Sequence, residues 1–291
     1  SDPLEALMDT LISGILLGGL YGLFALGLSL MFGVMRLTNT AHGDFIVLGA
    51  FGTLALVAAG MPAWLAMLLV LPVAGGLGFA LQTGVLNGTL GKDPLPSLVV
   101  TFGLSIVIQN ALLQVFSADP RAIDTGGLNT VGLPLTEGLS VGLLPVLILA
   151  LALVATAGLQ WLFNSTALGR AFRAVSDDRE IAELMGLDAR RVYALATALA
   201  FVLMSLAGTL QGMRTTVAPS DGPLLLLFAF EAVIIGGMGS FWGTLAGAML
   251  LGITQQIGFR LDPGWGIWGG HLMFLLVLVL RPQGLFPKTR G

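Results

Sequence analysis

Cysteine is absent from this chain. That excludes a disulfide, a thiolate metal site and a thiol nucleophile. Charge is scarce too: 13 Lys/Arg and 16 Asp/Glu make 10% of 291 residues, against roughly 25% in globular domains. So little polar surface cannot coat a soluble globule of this size. No G-x-x-x-x-G-K-[ST] phosphate loop occurs, so any ATP hydrolysis must come from a partner. The first residues, SDPLEALMD, are acidic and lack the basic n-region of a secretory signal, which predicts that the first apolar run is retained. Nothing points to nucleic acid as a partner or to a bound cofactor, and no clustered ligands accompany His271, so no metal is expected.

What the chain has is apolar length. It is 56% hydrophobic, and a bilayer core takes roughly 17–25 residues of helix. Apolar runs cover 10–35, 45–59, 63–90, 98–116, 139–163, 193–213, 224–238, 241–257 and 267–280. These predict an all-α polytopic membrane protein forming a single transmembrane domain over 1–291, with an N-terminus outside. The count is nine spans if Gly236-Gly-Met-Gly-Ser240 is a turn at the membrane face, and eight if it is a break or re-entrant bend. The polar segment 117–138 reads as an external loop. With nine spans, Arg36, Lys92, Arg170, Arg173, Arg179, Arg190, Arg191, Arg281, Lys288 and Arg290 fall on one side, and Arg121, Arg214 and Arg260 on the other. The positive-inside rule then makes the first side cytoplasmic, and the C-terminus with it.

The 41 glycines lie largely inside apolar runs, where small residues let helices approach. Gly14, Gly18 and Gly22 form one ladder at four-residue spacing, and Gly239, Gly243 and Gly247 a second. A short echo also relates Gly43-Asp-Phe45 and Leu48-Gly-Ala50 to Gly239-Ser-Phe241 and Leu245-Ala-Gly-Ala248, as in transporters built from repeats.

The densest charge lies in 164–192, NSTALGRAFRAVSDDREIAELMGLDARRV, with five Lys/Arg and five Asp/Glu. Within it a short helix is expected over 177–185, with Ser176 as N-cap, acids at its positive end and Gly186 as a left-handed C-cap. Ile181, Leu184 and Met185 share one face. An interfacial helix usually carries a basic polar face, and this one starts acidic. A protein partner therefore fits its oily face better than lipid does.

Glu180-Ile-Ala182-x-x-x-Gly186 resembles the E-A-A-x-x-x-G signature of ABC-importer permeases. LTNTAHGDFIVLGAF (37–51), ALGRAFRAVSDDREIAELMGLDARRV (167–192), VIIGGMGSFWGTLAGAMLLG (233–252) and LRPQGLF (280–286) resemble the branched-chain amino acid permease family, in its first permease type. The longer signature's I-x-L-P has no match at 196–200, and Glu231 stands where the family usually has a small or apolar residue. The resemblance implies a bacterial inner-membrane subunit importing branched-chain amino acids or a related solute. It implies a second permease, two ATPase subunits that bind the ATP, and a substrate-binding protein. It also implies that Ser176, Glu180, Ile181, Ala182, Leu184, Met185 and Gly186 belong to a cytoplasmic coupling helix. The competing class is an ion-coupled secondary transporter, and an intramembrane enzyme lacks a nucleophile–base constellation.

Polar groups within apolar runs are candidate pathway residues. Asn39, His42 and Asp44 lie in a break that the span count puts near the cytoplasmic face. Either they line a cavity, or they make a polar turn with Asp44 capping the next helix. Glu231 is either a pathway carboxylate or a packing carboxylate paired with a donor from another helix. Gln109, Asn110 and Gln114 are expected to bond between helices, and His271 to be a helix-contact group.

Overall fold

A computed structural model describes residues 2–287. Its helices are α1 (Pro3–Met35), α2 (His42–Ala58), α3 (Ala63–Gly84), α4 (Leu95–Phe116), α5 (Leu143–Ser165), α6 (Ala167–Asp177), α7 (Arg179–Leu184), α8 (Ala189–Arg214), α9 (Gly222–Gly236), α10 (Phe241–Leu261) and α11 (Gly266–Leu280). One antiparallel hairpin, β1 (Gly132–Thr136) and β2 (Leu139–Gly142), precedes α5. The all-α class therefore holds apart from this hairpin, which takes the end of the 117–138 loop and the first residues of the fifth run.

The first helix begins well before the first apolar run. Asp2 accepts from the Leu4 N–H at 3.0 Å, Pro3 takes the first helical turn and Glu5 adds negative charge there, all favourable at a helix start. α1 and α8 are buried along most of their length, whereas α3, α4, α5 and α11 present Leu, Val, Phe and Trp outward. Such a surface is tolerable only in lipid or against a partner. Among the described residues six helices are long and apolar enough to cross a bilayer, or seven if α9 and α10, bent by 115° at their junction, are one broken span. The expected eight or nine spans are not confirmed: α2, an apolar helix of 17 residues, falls just short of that length, and α9 has 15 residues.

Glycines fix the central contacts. A Cβ at Gly14 or Gly18 would overlap the backbone of Ile253 or Met249 on α10, and one at Gly22 would meet Leu245. Gly252 faces back onto Gly14 and Gly18. On the other side of α10, Gly243 and Gly247 lie against Gly236 of α9. Gly239 is not a third rung: it sits in the turn before α10 with φ +85°, as does Gly237 with φ +108°. These left-handed positions suit glycine. The tail after α11 then caps α9, with Leu285 N–H donating to Ile235 O at 2.9 Å and Phe286 N–H to Gly236 O at 3.0 Å.

Two non-helical returns organise the interior. After Arg36, left-handed at φ 56°, residues 37–41 run back beside α1. α2 then begins level with the middle of α1 and α8: His42 Nε2 lies 2.6 Å from the Phe24 carbonyl, and a Cβ on Gly27 would meet both Ala200 O and His42. After α8, residues 215–221 turn inward, pairing Val217 with Arg121, and α9 begins at Gly222 against Gly43 and Asp44. Two short helices thus start side by side inside the bundle. The break at Asn39–Asp44 is an interior feature, not the turn near one face that counting spans suggested. Both halves of the sequence echo lie at helix starts, Gly43 in the first turn of α2 and Gly239 in the turn that leads into α10.

Charge separates by end. The Arg190 carbonyl accepts from Asn87 at 3.3 Å, and Ser176 donates to Gly33 O at 2.5 Å. This groups the ends of α1 and α3 and the start of α8 with the α6–α7 segment. At the opposite end Arg260 reaches Ala6 O at 2.6 Å and Arg121 pairs with Val217. Lys288 and Arg290 lie outside the described residues.

Candidate functional site

The interior polar residues cluster where α2 begins. The Asn39 side chain accepts from Ala41 N–H at 2.9 Å, leaving its Nδ2 without a partner. His42 is fully buried, and its contact with the Phe24 carbonyl makes Nε2 the donor; Nδ1 is unpartnered. Asp44 does not cap α2: the cap position is Ala41, with no side-chain bond. Its carboxylate points across to α4 instead, accepting from Ser105 Oγ and from Gln109 Nε2 at 3.0 Å. Gln109 also approaches Ser105 Oγ at 3.1 Å, and Thr40 and Thr101 hydroxyls pair at 2.7 Å.

α4 is therefore an inverted amphipath. Ser97, Thr101, Ser105 and Gln109 face the bundle, while Val99, Phe102, Ile106 and Val107 face outward. The sequence carried a signal for this stripe in its four-residue spacing, although none of the three hydroxyls was singled out. Of the amides that were expected between helices, only Gln109 bonds across. Asn110 donates to Ile106 of its own helix at 2.8 Å, and Gln114 is exposed.

Glu231 belongs to a different group. It is 1% exposed and pairs through Oε1 with His271 Nδ1 on α11, while Oε2 has no partner. Nine residues separate it from Gly222, about 13 Å along α9, so the structure does not bring Glu231 to Asp44. Tyr21 donates to Gln255 Oε1 at 2.5 Å, which links α1 to α10. Among the described residues no three His, Asp or Glu side chains come together as a metal site.

The charged segment holds two short helices, α6 and α7, and the first turn of α8, rather than one short helix. Thr166 caps α6, accepting from Gly169 N–H at 3.0 Å, and Phe172 packs on Phe163 of α5 at a ring separation of 5.4 Å. Ser176 is not the N-cap of the next helix; it lies inside α6, where its hydroxyl is taken by Gly33 O. The cap is Asp178, extended at φ −155°, whose carboxylate accepts from Ile181 N–H at 3.1 Å. α7 then runs for six residues. It ends in a left-handed Gly186 at φ +95°, with Leu187 N–H donating to Ala182 O at 3.1 Å, a Schellman closure. Ala182 is buried, Glu180 is exposed, and Ile181, Leu184 and Met185 are 58%, 84% and 80% exposed.

Comparison with known proteins places this architecture. The family model described as branched-chain amino acid transport system / permease component matches residues 10–280. The high-affinity branched-chain amino acid transport system permease protein BraD of Pseudomonas aeruginosa is 28% identical over 97% of this chain and 96% of its own length. LivH of Escherichia coli K12, a permease protein of the same description, is 25% identical over 97% and 96%. The fructose import permease protein FrcC of Rhizobium meliloti is 33% identical over 67% of this chain and 58% of its own. Among solved structures, PsaBC from Streptococcus pneumoniae in complex with Fab shares the fold, with a TM-score of 0.50 at 14% identity over 95% of this chain and 92% of that one. Nine apolar runs folded around two interior helix starts, matched by the family model along nearly the whole length, make this chain a multi-pass membrane protein that belongs to the branched-chain amino acid transport system permease component family.

Proposed function

We propose that the chain is the transmembrane permease subunit of an ABC importer in the bacterial inner membrane, moving branched-chain amino acids or a related small amphipathic solute inward. α7 and its flanks, from Ser176 to Gly186, are the coupling segment. The arginine-rich end and the C-terminus face the cytoplasm. A second, related permease completes the pathway, two ATPase subunits hold the ATP, and a binding protein delivers solute from the other face. Asn39, His42, Asp44 and Glu231 are the pathway candidates.

The observation that carries this reading is the oily face of α7. Three large apolar side chains stand exposed on a short helix at the charged end of the bundle. The helix is fixed from behind by buried Ala182, and α6, which leads into it, is anchored to α1 by the Ser176–Gly33 bond. A rigidly held apolar knob outside the bundle fits a groove on a separate subunit, and rigid attachment would transmit its displacement to α1. Ile181→Asp should abolish ATP-dependent uptake in proteoliposomes carrying the complete transporter, while size-exclusion elution of the purified chain stays unchanged. Undiminished uptake would falsify the coupling role.

Ion coupling is the second reading, favoured by the carboxylates buried at Asp44 and Glu231. Glu231→Gln distinguishes the two: ATP-driven uptake that persists counts against an ion site there, and uptake driven by a sodium or proton gradient without ATP would support it.

A further inference from the structure

We propose that the cleft between α2, α3 and α4 holds the transported solute, with Asp44 receiving its ammonium group and the cleft walls its uncharged aliphatic or aromatic side chain. This rests on the importer reading and gives it a site.

The cleft has a volume of about 690 Å³, within the roughly 300–1,000 Å³ of small-molecule sites. Leu48, Phe51, Val70, Val73 and Leu112 form its walls. Its one buried hydroxyl, Ser205 on α8, is 1% exposed and its Oγ has no hydrogen-bond partner. A buried, unpaired polar atom is costly, and a polar group of a ligand in the cleft would relieve that cost.

Asp44 stands one helical turn from Leu48, and Gln109 about one turn from Leu112, both wall residues, so the carboxylate lies just beyond one end of the cleft, behind Ser105 and Gln109. Phe51 and Phe116, with rings 4.7 Å apart, line the cleft farther along the same seam. Asp44 is 1% exposed, and both its donors are neutral. No lysine, arginine or histidine among the described residues forms an ion pair with it, whereas Glu231 has His271. A carboxylate at membrane depth calls for a cationic or other compensating partner. The solute's ammonium supplies one, and a sugar would not. Ser105 and Gln109 hold the carboxylate in place, and their bonds can be exchanged for bonds to the solute without dismantling interlocked side chains.

The test is ATP-dependent uptake of radiolabelled leucine by proteoliposomes holding the complete transporter, with two competitors. 3-Methylbutylamine keeps the ammonium and side chain, and 4-methylpentanoate keeps the carboxylate and side chain. The amine is expected to inhibit and the acid not. Asp44→Asn is expected to lose inhibition by the amine and to raise the leucine KM at least tenfold. An inert amine, equal inhibition by the acid, or an unchanged KM in Asp44→Asn overturns the proposal. Should Asp44→Asn fail to assemble, Leu48→Trp takes its place. It narrows the cleft and should raise the leucine KM at least fivefold with alanine held within twofold; equal effects on the two overturn the proposal. If wild type shows no ATP-dependent uptake, the importer reading fails instead. The site is then judged by thermal shift, in which the amine should raise the Tm of wild type and not of Asp44→Asn; an equal shift or none overturns the proposal.

Discussion

Two helix contacts in this molecule are made in opposite ways. α1 meets α10 backbone to backbone, through Gly14, Gly18 and Gly252. α2 and the return that leads into it meet α4 through side-chain polar groups, Thr40 with Thr101 and Asp44 with Ser105 and Gln109. In lipid the apolar effect does not drive helices together, so association relies on close packing and interhelical hydrogen bonds. The glycine contact gives packing with no polar alternative: no solute or water can substitute for it. The hydroxyl seam gives bonds that a polar solute can replace. One contact suits a fixed frame and the other a surface that opens, and the solute cleft lies along the second.

The largest test of this contrast is Gly18→Leu. The added side chain meets the Met249 backbone, and backbone cannot yield as a flexible side chain can. The expected outcome is loss of the monodisperse peak on size exclusion in detergent; Gly243→Leu should do the same through Gly236. A folded, thermally normal Gly18→Leu protein would remove the frame from the comparison. Next comes the pair Ser105→Ala with Gln109→Leu, which strips Asp44 of both donors. A buried carboxylate losing its donors costs on the order of 1–3 kcal/mol each, so a Tm fall of several degrees is expected without loss of the folded peak. Spin labels on α2 and α4 should show a broadened distance distribution, and a sharp, unchanged one would mean that the seam is held by apolar packing. The smallest effect is expected for Thr101→Val, which removes the hydroxyl pair and the acceptor of the Thr40 N–H: about 0.6 kcal/mol for each such bond. That should be a barely measurable Tm shift with uptake retained.

Where the sequence was read well, the signal was local. Hydrophobic run length located nearly every helix, because satisfying backbone groups in lipid leaves little else possible. Gly186 as a left-handed helix end and the shared face of Ile181, Leu184 and Met185 depend only on neighbours within two turns. Ser176 shows the limit. Its type suits a cap, yet Gly33, distant in sequence, claims its hydroxyl, and Asp178 caps instead. Asp44 likewise read either as a cavity residue or as a helix cap, and the cap gave way once α4 supplied Ser105 and Gln109 from 61 and 65 residues away.

The sequence by itself determined the membrane class, the family and the concentration of charge at one end, since each follows from composition, order or spacing along the chain. Only the tertiary structure decided that the break at Asn39–Asp44 lies inside the bundle, that α2 and α9 begin side by side, and that Asp44 is buried without a cation while Glu231 has His271. Each of these depends on which distant helix arrives beside a residue, and the 3.6-residue period of a single helix says which face is polar but not what that face will meet.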